Sequence, residues 1–278
     1  MENRIGMESG FGPWLSETAT SSLLQRLQDG LPVMALGVRS ARTTEIVRIA
    51  KATGHHAIWV DLEHSSMSIE LAASMCATAL DLGVFPFVRI PERDYGLIGR
   101  VLDGGALGII APRIETRAQT IDILQACRFP PLGQRSAINN LPHMRMQRME
   151  ASLQNTVLNR AIVVQVLVET ERGIDKIEEI ASTPGLDMIG IGTNDLTAEL
   201  GVAGDFRHPS VRRAHLTAIE VCRRHQKPLA IGGIRDVAYA ADLIRLGAAP
   251  FLFTGIDTEI LFGAVQARFQ LALESIRR

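Results

Sequence analysis

Short apolar runs alternate with helix-patterned stretches from residue 33 onward, and this alternation limits the possible folds more than any other feature. The runs are VMALGV (33–38), AIWVDL (57–62), VFPFVRI (84–90), LGIIAP (107–112), IVVQVLV (162–168), MIGIG (188–192), PLAIG (228–232) and PFLFT (250–254). Each is continuously apolar, as expected of parallel strands covered on both faces. Helical stretches are predicted between and after them, including Ile69–Asp81, Thr116–Arg128, Gly173–Ser182, Pro209–His225 and Thr258–Ile276. Eight such strand–helix units in about 250 residues describe an α/β protein, a (β/α)8 TIM barrel. The rival is a doubly wound open sheet. It would usually carry a glycine-rich phosphate loop after an early strand, and neither GxGxxG nor GxxxxGK followed by Ser or Thr occurs.

The whole chain, 1–278, reads as a single barrel domain with two irregular parts. Residues 1–20 are expected to form a loosely attached arm, and 129–159 an irregular insertion. A net charge of −1 offers no pull toward nucleic acid or an anionic membrane. The first 20 residues lack the apolar stretch of a signal peptide, so a cytoplasmic location is the expectation. Cys76, Cys127 and Cys222 are far apart and without CxxC spacing, which argues against a zinc site or a disulfide framework.

Barrel enzymes build their sites where strands end at the C-terminal face. Here those ends are rich in chemistry. Glu169 follows VVQVLV and Asp195 follows DMIGIG, with a helix between them. Two carboxylates at one mouth suit a divalent cation, although each acid could instead cap the helix after it. The second strand ends in Asp61-Leu62-Glu63-His64, the third in Arg89, the fourth in Pro112-Arg113, and the eighth runs into Asp257. His64 is a candidate for proton transfer and Arg89 for stabilising an oxyanion. Arg89 could also simply pair with Glu63 or Asp61. His55-His56 precede the second strand, at the wrong end, and His143, His208, His215 and His225 have no evident partners. The three lysines, Lys51, Lys176 and Lys227, all lie away from the strands' catalytic ends. No Schiff base is therefore expected, and carbonyl chemistry here should be metal-assisted.

WVDLEHS, FVRIP, LDGGALGIIAPRIET, FPPLGQR, VETERG, IGTNDLTAELG and TGIDTEIL occur in that order. Together they resemble the class II pyruvate aldolases of the HpcH/HpaI type, relatives of the citrate lyase β subunit. The resemblance runs from about residue 30 to 270. It implies a TIM barrel whose last helix is exchanged with a neighbouring subunit in a homohexamer. It implies a divalent cation (Mg2+, Mn2+ or Co2+) on Glu169 and Asp195, with no nucleotide cofactor. Arg89 would contact the keto oxygen of pyruvate, and His64, supported by Asp61, would work with a metal-bound water as the base. Thr193, Asn194 and Asp195 would receive the pyruvate carboxylate, and Asp103 would reach a neighbour's site. The chain departs from the family at several points. Gly192-Thr193-Asn194 stands where glycine–proline is usual, Leu167 where a glutamine is common, Arg135-Ser136-Ala137-Ile138 where an RGxG-like element follows PPLG, and Val38 to Arg42 in place of a tryptophan-bearing loop.

The expected activity is metal-dependent cleavage of a 4-hydroxy-2-oxo acid to pyruvate and an aldehyde through a pyruvate enolate. A citrate-synthase-like or acyl-CoA lyase is the second reading, and a non-catalytic keto-acid-binding barrel the third. Arg39 and Arg42, after the first strand, are candidates to bind a carboxylate at the acceptor's far end, with a solvated loop as the alternative.

Overall fold

The computed structural model describes residues 22–277, so the expected arm at 1–20 lies outside the described residues. Eight strands are present: β1 (Val33–Val38), β2 (Ala57–Asp61), β3 (Phe85–Arg89), β4 (Gly108–Ala111), β5 (Val163–Val168), β6 (Met188–Gly192), β7 (Leu229–Gly232) and β8 (Phe251–Ile256). All neighbouring strands pair in parallel, in the order β7-β6-β5-β4-β3-β2-β1-β8. The two ends of this sheet, β7 and β8, pack against each other. The result is a nearly closed (β/α)8 barrel.

Helices precede the barrel and connect its strands. They are α1 (Ser22–Gln28), α2 (Glu45–Ala52), α3 (Ile69–Leu82), α4 (Gly96–Asp103), α5 (Arg117–Cys127), α6 (Ala151–Ala161), α7 (Glu171–Asp175), α8 (Ile177–Ala181), α9 (Thr193–Glu199), α10 (Pro209–Arg224), α11 (Val237–Arg245) and α12 (Asp257–Ile276). Several start at hydroxyl or carboxylate caps. Ser68 accepts from the Leu71 amide, Thr116 from Gln119, Thr170 from Gly173 and Asp236 from Tyr239. Two expectations need revision. The helix predicted over Gly173–Ser182 is two short helices, α7 and α8. Its Thr170 cap starts it at Glu171, and Lys176 leaves helical geometry between the two pieces. The stretch 129–159, expected to be irregular, contains a 3-10 turn at Pro142–Met144 and most of α6. Glu150 starts α6 by accepting from the Ser152 and Leu153 amides, a cap that the loop-like composition conceals.

Aromatic rings fill the barrel's interior. Phe87 on β3 meets Phe251 on β8 with ring centroids 5.8 Å apart, and Trp59 meets Phe253 at 5.7 Å. Glycines on neighbouring strands make room for them. A Cβ at Gly37 would lie 2.9 Å from the Trp59 ring, and one at Gly108 would overlap Phe87. Above this apolar layer, at the C-terminal strand ends, sit Asp61, Arg89 and Glu169, all buried.

The outer layer is incomplete at α12. This helix touches β1 and β8, yet none of its residues is buried. Phe262 and Phe269 are 68% and 62% exposed. No described helix is long and apolar enough to cross a membrane.

The packing of Gly108 is testable. Phe87 is wedged between Phe85 and Phe251, so its ring cannot yield freely to a new methyl group. Gly108→Ala is expected to destabilise the fold by about 1–3 kcal/mol, read as a lower denaturant midpoint with an unchanged slope.

Candidate active site

The sheet register places Asp61 beside Arg89 at the ends of β2 and β3. Arg89 Nε donates to Asp61 Oδ1 at 3.0 Å and Nη2 donates to Oδ2 at 2.7 Å. Its Nη1 reaches Glu63 Oε2 at 3.2 Å, and the guanidinium lies 5.0 Å from the centre of the Trp59 ring. Arg39 Nε adds a bond to Asp61 Oδ2 at 3.1 Å. Burial pushes the Asp61 carboxyl up, but the hydrogen bonds and charge of Arg89 outweigh it, with help from the His64 amide and Arg39, and hold the group below its ordinary range. The expected pairing of Arg89 with Asp61 and Glu63 is therefore present. It does not exhaust the guanidinium, because three of its five N–H groups are used and two remain.

Asp61 also turns the chain. Its Oδ1 accepts from the backbone amides of Glu63 and His64, both at 3.1 Å, and its carbonyl accepts from the Ser65 hydroxyl. The side chain of His64 is 52% exposed, and the carboxylate facing its ring is Glu63, with Nε2 3.7 Å from Oε2. The expectation that Asp61 supports the His64 ring is thus altered. Asp61 holds the residue's backbone, because its own carboxylate is saturated by two arginines and two amides.

Glu169 follows β5 and is 3% exposed. Its Oε2 accepts from the Arg113 amide at 3.0 Å. Gly192, at the end of β6, leaves the space this side chain fills, since a Cβ there would overlap Glu169 Oε1. Asp195 lies in the first turn of α9. Burial raises Glu169 to about 7, and the charges of Asp195 and Glu63 push the same way. Glu63 is likewise raised, by burial first and by Asp61 and Asp195 after it. Among the described residues neither Glu169 nor Asp195 forms an ion pair with a cationic side chain. The Arg89 charge acts the other way on Glu169 without outweighing burial, and two acids with no ion-pair partner of their own fit a divalent cation. No three His, Cys, Asp or Glu side chains form a cage among the described residues. Such an ion would be held by two carboxylates, with water and substrate completing an oxygen shell.

These groups open onto one cavity of about 350 Å³. Trp59, Leu167 and Phe253 form its floor, and Arg39, Asn194 and Arg235 stand on its walls with the acids. Arg39 keeps both Nη groups free of protein partners among the described residues. Its loop is fastened by Asp257, whose carboxylate accepts from the Arg39, Ser40 and Ala41 amides at 3.0, 2.9 and 2.6 Å. Arg42 is spent elsewhere. It donates to the carbonyls of Arg39, Ser40 and Ala41 and to the Ser66 hydroxyl, and it does not line the cavity. Asp103 ends α4, away from its own cavity, and pairs with buried Arg135 at 2.8 Å. Sequence reading missed Arg235, which pairs with Glu259 at 2.8 Å. The available signal was its place just after β7.

Comparison with known proteins adds an independent observation. Residues 38–263 match the family described as HpcH/HpaI aldolase/citrate lyase. A 4-hydroxy-4-methyl-2-oxoglutarate aldolase of Hapsidospora irregularis is 33% identical over 76% of this chain and 79% of its own length. A 2-keto-3-deoxy-L-rhamnonate aldolase of Escherichia coli is 28% identical over 91% of this chain and 93% of its own. Among solved structures, an HpcH/HpaI aldolase/citrate lyase family protein from Burkholderia cenocepacia superposes with a TM-score of 0.80 at 30% identity, covering 92% of this chain and 99% of that one.

The raised Glu169 carboxyl has a measurable consequence in the metal-free protein. A carboxyl whose folded value exceeds its unfolded value favours folding when protonated. That contribution is complete below about 4.5 and is lost as pH rises through about 7. It is on the order of 3 kcal/mol at full extent. Metal-free protein should therefore melt at a lower temperature at pH 8 than at pH 5.5. Glu169→Gln should flatten that difference, and Mn2+ should restore the parent most at the higher pH.

Proposed function

The chain belongs to the HpcH/HpaI aldolase/citrate lyase family, whose aldolases are carbon–carbon lyases, and we propose that it cleaves a 4-hydroxy-2-oxo acid into pyruvate and a carbonyl product. The observation that carries this reading is one restrained guanidinium at the same mouth as two carboxylates that have no ion-pair partner among the described residues. Arg89 has donors to spare beside Glu169 and Asp195. A divalent ion held by those two acids (Mg2+, Mn2+ or Co2+) would supply the positive charge that stabilises the 2-oxo acid's carbonyl oxygen as it becomes an enolate oxygen.

The chain's own residues then divide the work. Arg89 directs its remaining N–H groups at the same oxygen, and its orientation is already fixed by Asp61 and Glu63. The His64 imidazole takes the proton of the 4-hydroxyl. The C3–C4 bond breaks, its electron pair stays on C3 as the enolate, and C4 leaves as the carbonyl product. Protonation of C3 completes pyruvate. The amides at Thr193 to Asp195 hold the substrate's 1-carboxylate. Arg39 holds a second carboxylate at the far end, because its Nη groups are free and its position on the cavity wall is clamped by Asp257. A dicarboxylic substrate is in keeping with the 4-hydroxy-4-methyl-2-oxoglutarate aldolases among the relatives.

We also propose that α12 packs against a neighbouring subunit in a homohexamer, with Asp103 directed at the neighbour's site. The uncovered Phe262 and Phe269 support the exchange.

Two measurements test the reading. The enzyme should catalyse metal-dependent exchange of pyruvate's methyl protons with deuterium. Glu169→Ala and Asp195→Ala should abolish it, and Arg89→Ala should slow it by about 100- to 1,000-fold. Absence of exchange in the parent protein with Mg2+, Mn2+ and Co2+ supplied would refute the assignment. In the aldol direction, Arg39→Ala should lose about tenfold in kcat/KM with an acidic acceptor, a change of about 1.4 kcal/mol. With a small neutral aldehyde it should behave like the parent. Equal losses with both acceptors would remove Arg39 from substrate recognition.

A further inference from the structure

A string of buried hydrogen bonds runs from the outer helices to the loop that carries Asp195. Tyr239 on α11, His215 on α10 and Thr193 at the start of α9 are 1%, 0% and 0% exposed. The Tyr239 hydroxyl lies 3.2 Å from His215 Nδ1, and His215 Nε2 lies 3.2 Å from Thr193 Oγ1. Arg212, also on α10, places its charge near the Tyr239 hydroxyl. A second arginine, Arg207, stacks 4.9 Å from the centre of the Tyr239 ring and is tied to Asp236.

The string has a direction. Burial lowers His215 to about 4, and the Arg212 charge acts the same way, so the ring is neutral at ordinary pH. A neutral imidazole donates from one nitrogen and accepts at the other. Arg212 and Arg207, the cations beside Tyr239, can only donate. The two cationic groups around Tyr239 offer no acceptor, and a buried hydroxyl proton without one is costly. Tyr239 therefore donates to Nδ1, which places the ring proton on Nε2, facing Thr193. The Thr193 hydroxyl accepts it, and Thr193 is among the residues lining the cavity.

Its location gives this string a purpose. The Glu169 side chain occupies the space beside residue 192, which must be glycine there. Glycine gives the joint between β6 and α9 conformational freedom at the point where Asp195 has to be held. Thr193, the next residue, is tied by its side chain to a neutral ring buried between α10 and α11. Asn194 is fixed separately, its carbonyl accepting from Thr197 Oγ1 at 2.7 Å and its amide lying close to Gly233.

We infer that His215 is a positioning residue: through Thr193 it locks the β6–α9 joint, and with it Asp195 and the first amides of α9, in the orientation that a keto acid and its cation require. This rests on the aldolase reading for the identity of the ligands. The hydrogen-bond direction stands on the buried groups themselves.

The test uses full-length protein and readouts besides turnover. With 15N-labelled histidine, the His215 resonances, assigned by their loss in His215→Gln, should show protonated Nε2 and bare Nδ1. A ring protonated on Nδ1 overturns the inference, whatever the variants do. Mn2+ affinity, measured by electron paramagnetic resonance without substrate, should weaken about tenfold in His215→Phe and in Thr193→Val. The double variant should be no worse than either single one, since both break the same link. His215→Gln, which can still donate toward Thr193, should recover a large part of the loss. KM for pyruvate in proton exchange should rise more than kcat falls. Variants that melt like the parent and bind Mn2+ within twofold of it overturn the inference and leave the aldolase reading intact. A parent protein that neither binds Mn2+ nor exchanges pyruvate protons overturns the aldolase reading, and this inference with it.

Discussion

The buried pair between Asp61 and Arg89 is the interaction on which the rest of the site depends. A carboxylate with no exposure would be costly alone, and an arginine at 8% exposure nearly so. Adjacent parallel strands bring the two together in register, so no loop has to be ordered for them to meet. Each then restrains something further. Asp61 collects five donors, from Arg89, Arg39 and the amides of Glu63 and His64, and so fixes the turn that presents His64. Arg89 is fixed in turn by Glu63 and Trp59 and presents its unused edge to the cavity. Breaking a buried pair costs about 3–5 kcal/mol, because the remaining charge is left uncompensated. The same pair therefore contributes to the rigidity of the barrel mouth and would contribute to the proposed chemistry within it.

The acids opposite are arranged in the other way. Among the described residues neither Glu169 nor Asp195 is ion-paired with a cationic side chain, and burial, with the charges of Asp195 and Glu63 after it, works against the charged form of Glu169. The mouth thus contains one fully compensated carboxylate on β2 and an uncompensated group across from it. A cation would be drawn to the second and not to the first. This asymmetry supports the proposal that Glu169 and Asp195, and not Asp61, would hold the cation.

Much of this was legible in the sequence. The eight continuous apolar runs gave the strands to within a residue or two, because strands buried on both faces leave no polar alternation to misread. That Glu169, Asp195, Asp61, His64 and Arg89 gather at one mouth was legible because each stands at or just after a strand's end, and in a parallel barrel those ends share one face. What was not legible depends on side-chain direction. Arg39 and Arg42 look equivalent in sequence, yet one faces the cavity and the other caps the carbonyls of its own loop. His215 had no evident partner, because Thr193 and Tyr239 are each more than twenty residues away and meet it only where α9, α10 and α11 pack. The break at Lys176 has no proline or glycine to announce it, and nothing in the structure explains it.

Asp257 connects two parts of the molecule that would otherwise be independent. It is the first residue of α12, and its carboxylate takes the three amides that hold the Arg39 loop in place. Glu259, two residues on, holds Arg235 on the opposite wall. Both arginines are therefore linked to the first turn of a helix whose apolar surface has little cover among the described residues. A force that draws this helix outward acts through its first turn on two side chains that line the cavity. In the proposed assembly, with α12 packed on a neighbour and Arg39 bound to the acceptor, quaternary packing and acceptor choice would share one mechanical joint.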